Sequence, residues 1–222
     1  MTIRTAVFVL AVSLAGSLSA QTLTNLSAVA PTPGPNDISQ LSTQGNTTSP
    51  AGINYYTDNG SPVGQTFTTG TDAMRLTSVA IKTAGLNTGG VSATNFYLRI
   101  YSISNTTATF LIGFSAPNPG FTDGAWLQWS GLNVPLATNK TYAFTFGIRP
   151  SNGGWTALAV ATNKYAGGRI VAVPINGGTI DTGNTSIFDA VFNLGLQPAL
   201  TNPPASMPLP LPTYGWNMGN TL

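Results

Sequence analysis

Apolar and polar residues alternate along much of the chain, which predicts β-strands. In the run 96–101, Phe96, Leu98 and Ile100 would share one face of a strand, and the residues between them the other. The runs 142–148 and 187–194 alternate in the same way. Weaker runs occupy 65–68, 75–82, 109–114, 126–130, 157–161 and 169–173. Near residues 77–78 the alternation slips by one position, which indicates a β-bulge.

The spacing of these runs predicts the fold class. Clusters of Gly, Asn, Pro and Ser separate them, and after residue 20 no helical period extends over 11 residues or more. About nine short strands without crossover helices are typical of an all-β antiparallel sandwich. We therefore expect one jelly-roll-like β-sandwich over residues 21–197.

The N-terminal residues 1–20 have the order of a secretory signal peptide. A basic start with Arg4 precedes an apolar run, and small residues end the segment at Ser19 and Ala20. The apolar run is shorter than the roughly 20 residues that span a bilayer. We expect cleavage after Ala20 and a secreted, extracellular bacterial protein without a membrane span; the alternative is an N-terminal core helix.

The composition excludes several kinds of chemistry. The 222 residues include no His and no Cys, and all six acidic residues are Asp. A Ser-His-Asp triad, an imidazole or thiolate metal site and a disulfide are therefore excluded. With eight basic residues the net charge is +2, and no basic cluster favours nucleic acid as a partner.

The C-terminal end of the chain differs from the rest. Residues 198–213 carry six prolines, which predicts a stiff, extended linker. Within the last segment, 214–222, the sequence GWNMGNTL resembles the GWNLGNTL signature that opens the catalytic barrel of glycoside hydrolase family 5, the cellulase-type endoglucanases, with Met218 in place of Leu. The resemblance implies a truncated barrel start beside an accessory module. The alternative is a coincidental Gly- and Asn-rich tail.

The resemblance also bears on catalysis. The catalytic residues of that family are two Glu on later barrel strands, and this chain contains no Glu. We therefore expect that the chain is not itself an enzyme, and that a full-length parent is a cellulase-type glycoside hydrolase.

The predicted sandwich carries a second resemblance. The order GQTF (64–67), LTSV (76–79), WSGL (129–132) and TYAF (141–144) is similar to secreted bacterial β-sandwich modules of the "choice-of-anchor" kind. Such modules often have no assigned function and also resemble carbohydrate-binding modules. The resemblance implies a β-sandwich and, more weakly, a carbohydrate-binding role.

Binding of a sugar needs flat aromatic faces and polar groups, and the chain offers both. The candidate residues are aromatic or polar and are expected on outward faces or in loops: Trp126, Trp155, Tyr97, Arg99, Tyr101 and Gln128. Leu127 and Trp129 share the face assigned to the core, so Trp126 and Gln128 are expected to face away from it. Each aromatic residue has a structural alternative, because Tyr favours strands and Trp is more often core than ligand platform.

The acidic residues offer weak metal candidates. Asp58 and Asp181 lie in oxygen-rich stretches that could hold a structural Ca²⁺, although both stretches are equally good turns. No other cofactor is expected. Asp189 alternates with Phe188 and Ala190 and is expected to point away from the core.

These features together predict a non-catalytic accessory module of a secreted polysaccharide-degrading enzyme. We expect it to be a monomer that binds cellulose or a related β-glucan by aromatic stacking. The alternative is a structural sandwich spacer, or a surface or matrix module, with no glycan ligand.

Overall fold

A computed structural model describes residues 20–42, 61–86, 95–122, 124–149, 156–158, 160–162, 165–182 and 188–199. Every regular element in these ranges is a β-strand. The first eight are β1 (Thr22–Asn25), β2 (Ile38–Gln40), β3 (Val63–Thr68), β4 (Met74–Leu86), β5 (Asn95–Ser104), β6 (Thr107–Pro117), β7 (Trp126–Ser130) and β8 (Val134–Leu136). The others are β9 (Thr141–Arg149), β10 (Thr156–Leu158), β11 (Val160–Thr162), β12 (Ile170–Ala172), β13 (Gly178–Thr179), β14 (Phe188–Ala190) and β15 (Phe192–Pro198).

The strands form two main antiparallel sheets. One has the order β1-β7-β4-β15-β2, and β8 and β10 also pair with β4. The other has the order β12-β3-β9-β5-β6-β13, while β11 and β14 form a separate pair. The predicted all-β sandwich is confirmed. Its strands are more numerous than the expected nine because short strands lack a clear pattern. In addition, the run 187–194 is divided at Val191 between β14 and β15.

The main core lies between the two large sheets. The predicted inward face of β5 contributes to this core, since Phe96, Leu98 and Ile100 are all buried. Aromatic rings cross between the sheets: Phe144 lies 5.6 Å from Phe192, centroid to centroid. The core therefore forms as alternation predicts, with one face of each strand turned inward.

The predicted bulge is present in β4. Gly195 of β15 pairs with Ser78 while Leu196 pairs with Leu76, so Thr77 is the extra residue. The Thr77 hydroxyl donates a hydrogen bond to the Gly195 carbonyl (3.0 Å). A Cβ atom at Gly195 would lie 2.2 Å from the Ser78 Oγ, so any other residue here would force the Ser78 side chain to move where the strands approach.

Smaller apolar clusters cover part of the outward face of each sheet. On the six-stranded sheet, Tyr101 packs with residues that include Val171, Val173 and Ile180. On the seven-stranded sheet, Trp126 packs with Ala80 and Val191. In the described part of the chain, no helix is long and apolar enough to cross a membrane.

Candidate functional site

The candidate site is a shallow depression on the outward face of the six-stranded sheet. It has a volume of about 280 Å³ and is lined by residues of β5 and β6: Tyr97, Arg99, Phe110, Gly113, Phe114 and Ser115. Alternation in β5 places Tyr97 and Arg99 on the face opposite to the buried Phe96 and Leu98, as the sequence predicts. Both side chains are half-buried.

A cation–π contact fixes the two β5 side chains relative to each other. The Arg99 guanidinium carbon lies 5.4 Å from the centroid of the Tyr97 ring. Tyr97 pairs across the strands with Ser115, and Arg99 pairs with Gly113. The β5 side of the depression is therefore aromatic and cationic, and the small residues Gly113 and Ser115 of β6 lie directly across from it.

Phe110 and Gly113 shape the opposite wall. A register shift in β6 leaves Leu111 as an extra residue, which places Phe110 opposite Tyr101. A Cβ atom at Gly113 would lie 3.5 Å from the Phe110 ring and 3.6 Å from the Arg99 Cγ. Glycine therefore keeps the space between these two side chains open. Neither residue was predicted from the sequence as part of a site, although the three consecutive apolar residues from Phe110 interrupt the alternation.

Tyr101 does not belong to this surface. Its face was predicted correctly, but the side chain is fully buried. The hydroxyl donates a hydrogen bond to the Ile175 carbonyl (3.2 Å), and the ring packs under the segment that carries Val173 and Ile180. The expectation that Tyr101 offers a stacking platform is wrong, because a segment more than 70 residues further along the chain covers it.

Trp126 is also covered. The residue faces away from the main core as predicted, yet only 2% of it is exposed. Leu26 and Leu41 pack against its cluster. Both backbone groups of Trp126 bond to the first segment: its N–H donates to the Ser27 carbonyl (2.7 Å), and its carbonyl accepts from the Leu26 N–H (2.8 Å). The ring cannot act as a sugar platform in this structure.

The remaining predicted residues do not join Tyr97 and Arg99. Gln128 is half-buried on the outward face of the seven-stranded sheet, between Thr24 of β1 and Ala80 of β4. That face lies on the opposite side of the sandwich from Tyr97, so the two cannot contact one ring. Trp155 lies outside the described residues.

Of the two metal candidates, only Asp181 lies in the described part of the chain. Asp181 is exposed, and its backbone forms an isolated bridge with Ala172 through two hydrogen bonds of 2.9 Å. Asp58 lies outside the described residues. Within the ranges that the structure describes, no group of three acidic side chains is close enough to hold a metal ion.

Asp189 has a structural role that its polar position in the alternation does not predict. It is fully buried rather than turned to solvent. Its Oδ1 accepts a hydrogen bond from the Gln65 amide (2.8 Å), and its Oδ2 accepts one from the Tyr165 N–H (2.8 Å). The Gln65 Oε1 accepts from the Ala190 N–H (2.9 Å). This network joins β3, β14 and the segment before β12.

The side chain of Tyr165, whose N–H bonds to Asp189, also ends in a hydrogen bond. Its hydroxyl accepts a hydrogen bond from the Thr68 N–H (3.3 Å). Burial of the phenol raises its pKa above 10.0, and the negative charge of Asp189 raises the pKa further, while the bond from Thr68 acts in the opposite direction. The neutral phenol is therefore favoured more in the folded state than in the unfolded state.

This pKa shift predicts a loss of stability at alkaline pH. Because the folded pKa is the higher one, the contribution of Tyr165 is fully present below the unfolded value of 10.0. It is lost as the pH rises through the folded pKa. We expect the free energy of unfolding, measured with urea between about pH 8 and pH 11, to fall more steeply with pH for the wild type than for Tyr165→Phe. Parallel pH curves for the two proteins would show that Tyr165 does not cause the loss of stability.

Comparisons with known proteins leave the family open. No protein-family model matches the chain, and no curated protein sequence matches it. Two chains of solved structures match. One contains the cysteine protease and lectin-like domains of Cwp84, a surface layer associated protein of Clostridium difficile, with a TM-score of 0.49 and 15% identity. The match covers 75% of this chain but spans only 37% of that one. A likeness this low carries no functional argument.

Proposed function

We propose that the chain is a non-catalytic accessory module that binds a polysaccharide at the depression between β5 and β6. The observation that supports this most directly is the half-buried Tyr97 beside Arg99, across from an exposed Phe110. Of the six residues expected to bind sugar, these β5 residues alone among the described ones share an accessible concave surface.

The chemistry of this surface suits a neutral sugar. The apolar face of a pyranose ring packs on an aromatic side chain, and Tyr97 and Phe110 supply such area on two sides of the depression. The Arg99 guanidinium carries a planar fork of N–H donors for sugar oxygens. The Ser115 hydroxyl, on the rim, both donates and accepts. No catalytic carboxylate is needed for this role.

The glycan class and the parent enzyme rest on the C-terminal resemblance. Residues 215–222 resemble a segment of cellulase-type glycoside hydrolases, which favours cellulose or a related β-glucan. In this proposal the signal-like residues 1–20 direct secretion, the sandwich binds the polymer, and the proline-rich segment 198–213 links it to a catalytic barrel. Attachment would act by raising the local concentration of enzyme at the polymer.

A structural spacer is the second candidate function. The burial of Trp126, Trp129 and Tyr101 favours it, because three large aromatic residues serve packing rather than a surface. A spacer would hold a neighbouring domain away from a surface without contacting sugar. The two candidates differ in a single property, which is retention on a polysaccharide.

Substitutions in the depression test the proposed site. We expect Tyr97→Ala to weaken binding of the full chain to cellulose about tenfold, the effect of losing one aromatic stacking contact. Arg99→Ala should also weaken it, because donors to sugar oxygens are lost. The matched control is Arg169→Ala, which removes the same charge from an exposed position outside the depression.

The readout is the bound fraction across a range of cellulose concentrations, with thermal unfolding measured for each variant. If Tyr97→Ala and Arg99→Ala bind as well as the wild type while remaining folded, the depression is not the binding site. If Arg169→Ala weakens binding as much as Arg99→Ala, net charge rather than the depression determines retention.

A further inference from the structure

The strand β6 has an open edge. Along one side it pairs with β5 over its full length, from Thr107 to Pro117. Along the other side, in the described part of the chain, only Thr107 and Ala108 pair, with β13. Along residues 109–117, the backbone groups that point away from β5 are therefore not used by any described strand. Unpaired edges are templates for another strand.

The sequence of this edge lacks most of the devices that usually prevent pairing; the one it has is the bulge at Leu111. β6 reads TATFLIGFSAP and contains no charged residue. Phe110, Leu111 and Ile112 are 42%, 44% and 37% exposed, three large apolar residues in succession. Natural edge strands commonly carry Lys, inward-pointing charges or a central Pro, whereas here Pro117 stands only at the end. Such an edge is typical of an interaction surface rather than of a solvated one.

An apolar depression lies beside the same edge. It has a volume of about 220 Å³ and is lined by Leu111, Ile112, Asn133, Val134 and Pro135. Leu111 and Ile112 thus form one wall of an apolar groove at this edge. Under a two-fold axis the same edge of a second copy lies against this groove, which is the condition for an isologous contact.

We propose that β6 pairs antiparallel with β6 of a second copy of this chain. A second copy fits because the strand is uncharged, so that no like charges oppose each other across the two-fold axis. It also supplies both the missing backbone partners and the apolar side chains that fill the groove. The two six-stranded sheets would then be continuous.

This inference does not depend on glycan binding, and it departs from the monomer expected from the sequence. If the chain both binds a glycan and pairs through β6, the pairing fixes where the two binding sites lie. Phe110, Gly113 and Ser115 belong to β6, so the depressions of the two copies would lie on either side of the new strand pair. A joined surface would then engage an extended polymer at two positions.

The size of the edge sets the expected affinity. Nine residues of strand extend about 30 Å, and we expect a contact through one strand edge to bury less than the roughly 800 Å² per partner of a standard stable interface. We expect a concentration-dependent dimer with a Kd on the order of 10–100 µM.

Sedimentation of the full chain tests the proposal. We expect the average mass of the wild type to rise toward twice the monomer mass between about 1 µM and 1 mM. Leu111→Lys and Ile112→Lys should each remain monomeric over that range. Val29→Lys is the matched control, because Val29 is 70% exposed and lies outside the edge; it should associate as the wild type does. A wild type that stays monomeric at about 1 mM would overturn the proposal, as would a dimer that persists in folded Leu111→Lys.

Cross-linking decides the case in which the lysine variants do not fold. The chain has no cysteine, so single replacements give no background disulfide. On a two-fold strand pair, only residues at or next to the axis lie close to their own copies. At least one of the single replacements Leu111→Cys, Ile112→Cys, Gly113→Cys and Ser115→Cys should therefore oxidise to a disulfide-linked dimer much faster than Val29→Cys. Equal rates at all five positions would contradict pairing through β6.

Discussion

Replacing Trp126 by Ala is expected to lower the free energy of unfolding by about 3–5 kcal/mol. The ring is almost completely buried and packs with Ala80 and Val191 under Leu26 and Leu41. Removal of the indole leaves a cavity that the surrounding strands cannot close, because backbone hydrogen bonds hold the Leu26–Ser27 segment in place. Chemical denaturation measures the change.

A neighbouring substitution provides the control for Trp126. Gln128 lies two residues further along β7 on the same outward face and is half-buried. Gln128→Ala should change the free energy of unfolding by less than about 1 kcal/mol. A small stability change for Trp126→Ala together with lost polysaccharide binding would show that the indole acts at the surface, as its position in the alternation first suggested.

Replacing Asp189 by Ala is expected to cost about 3–5 kcal/mol of folding free energy. The substitution leaves the buried Gln65 amide and the half-buried Tyr165 N–H without their acceptor. It also removes the hydrogen bond between β14 and the segment before β12. Asp189→Asn should cost less, since it keeps the shape and one acceptor oxygen while its amide nitrogen faces one of the two donors.

The pair of Asp189 variants separates hydrogen bonding from packing. If the network stabilises the fold, Asp189→Ala is much less stable than Asp189→Asn in urea unfolding. Asp189→Asn should also lower the pKa of Tyr165, because the charge that helps to raise it is removed. Equal stability of wild type and Asp189→Ala would show that the buried carboxylate contributes nothing.

Alternation predicted the faces of strands but not what covers them. The inward residues of β5 and the outward position of Trp126 were predicted correctly, because both follow from the two-residue period of a strand. The covering of Trp126 by Leu26 and Leu41 depends on contacts with residues 85 or more positions away, which local patterns do not contain. The burial of Tyr101 under the segment around Val173 has the same origin.

The polar network and the open edge depend on strand order, which alternation does not encode. Asp189 occupies a polar position in its run, and only the packing of β14 beside β3, with which it does not pair, brings the Gln65 amide to it. In the same way, β6 reads as an ordinary apolar run until the sheet order places it beside β5 with little on its other side. Phe110 and Gly113 became candidate site residues through that placement.

The proposed depression gives the module a simple mode of action. Tyr97 and Arg99 are set by β5, a long strand paired on both sides, so their positions require little ordering when a ligand binds. Such a site would contribute affinity through a few contacts repeated along a polymer rather than through one deep pocket. Retention on an insoluble chain would therefore exceed the affinity for a short soluble oligosaccharide.

The central claim is that this chain binds a polysaccharide, and a depletion measurement tests it most directly. The full chain is mixed with insoluble cellulose, xylan, mannan or chitin, and the protein left in solution is measured by tryptophan absorbance. We expect loss from solution with cellulose and a smaller loss with the other three polymers. If the protein remains in solution with all four, the glycan-binding function is contradicted, and the aromatic residues serve only to pack a structural sandwich.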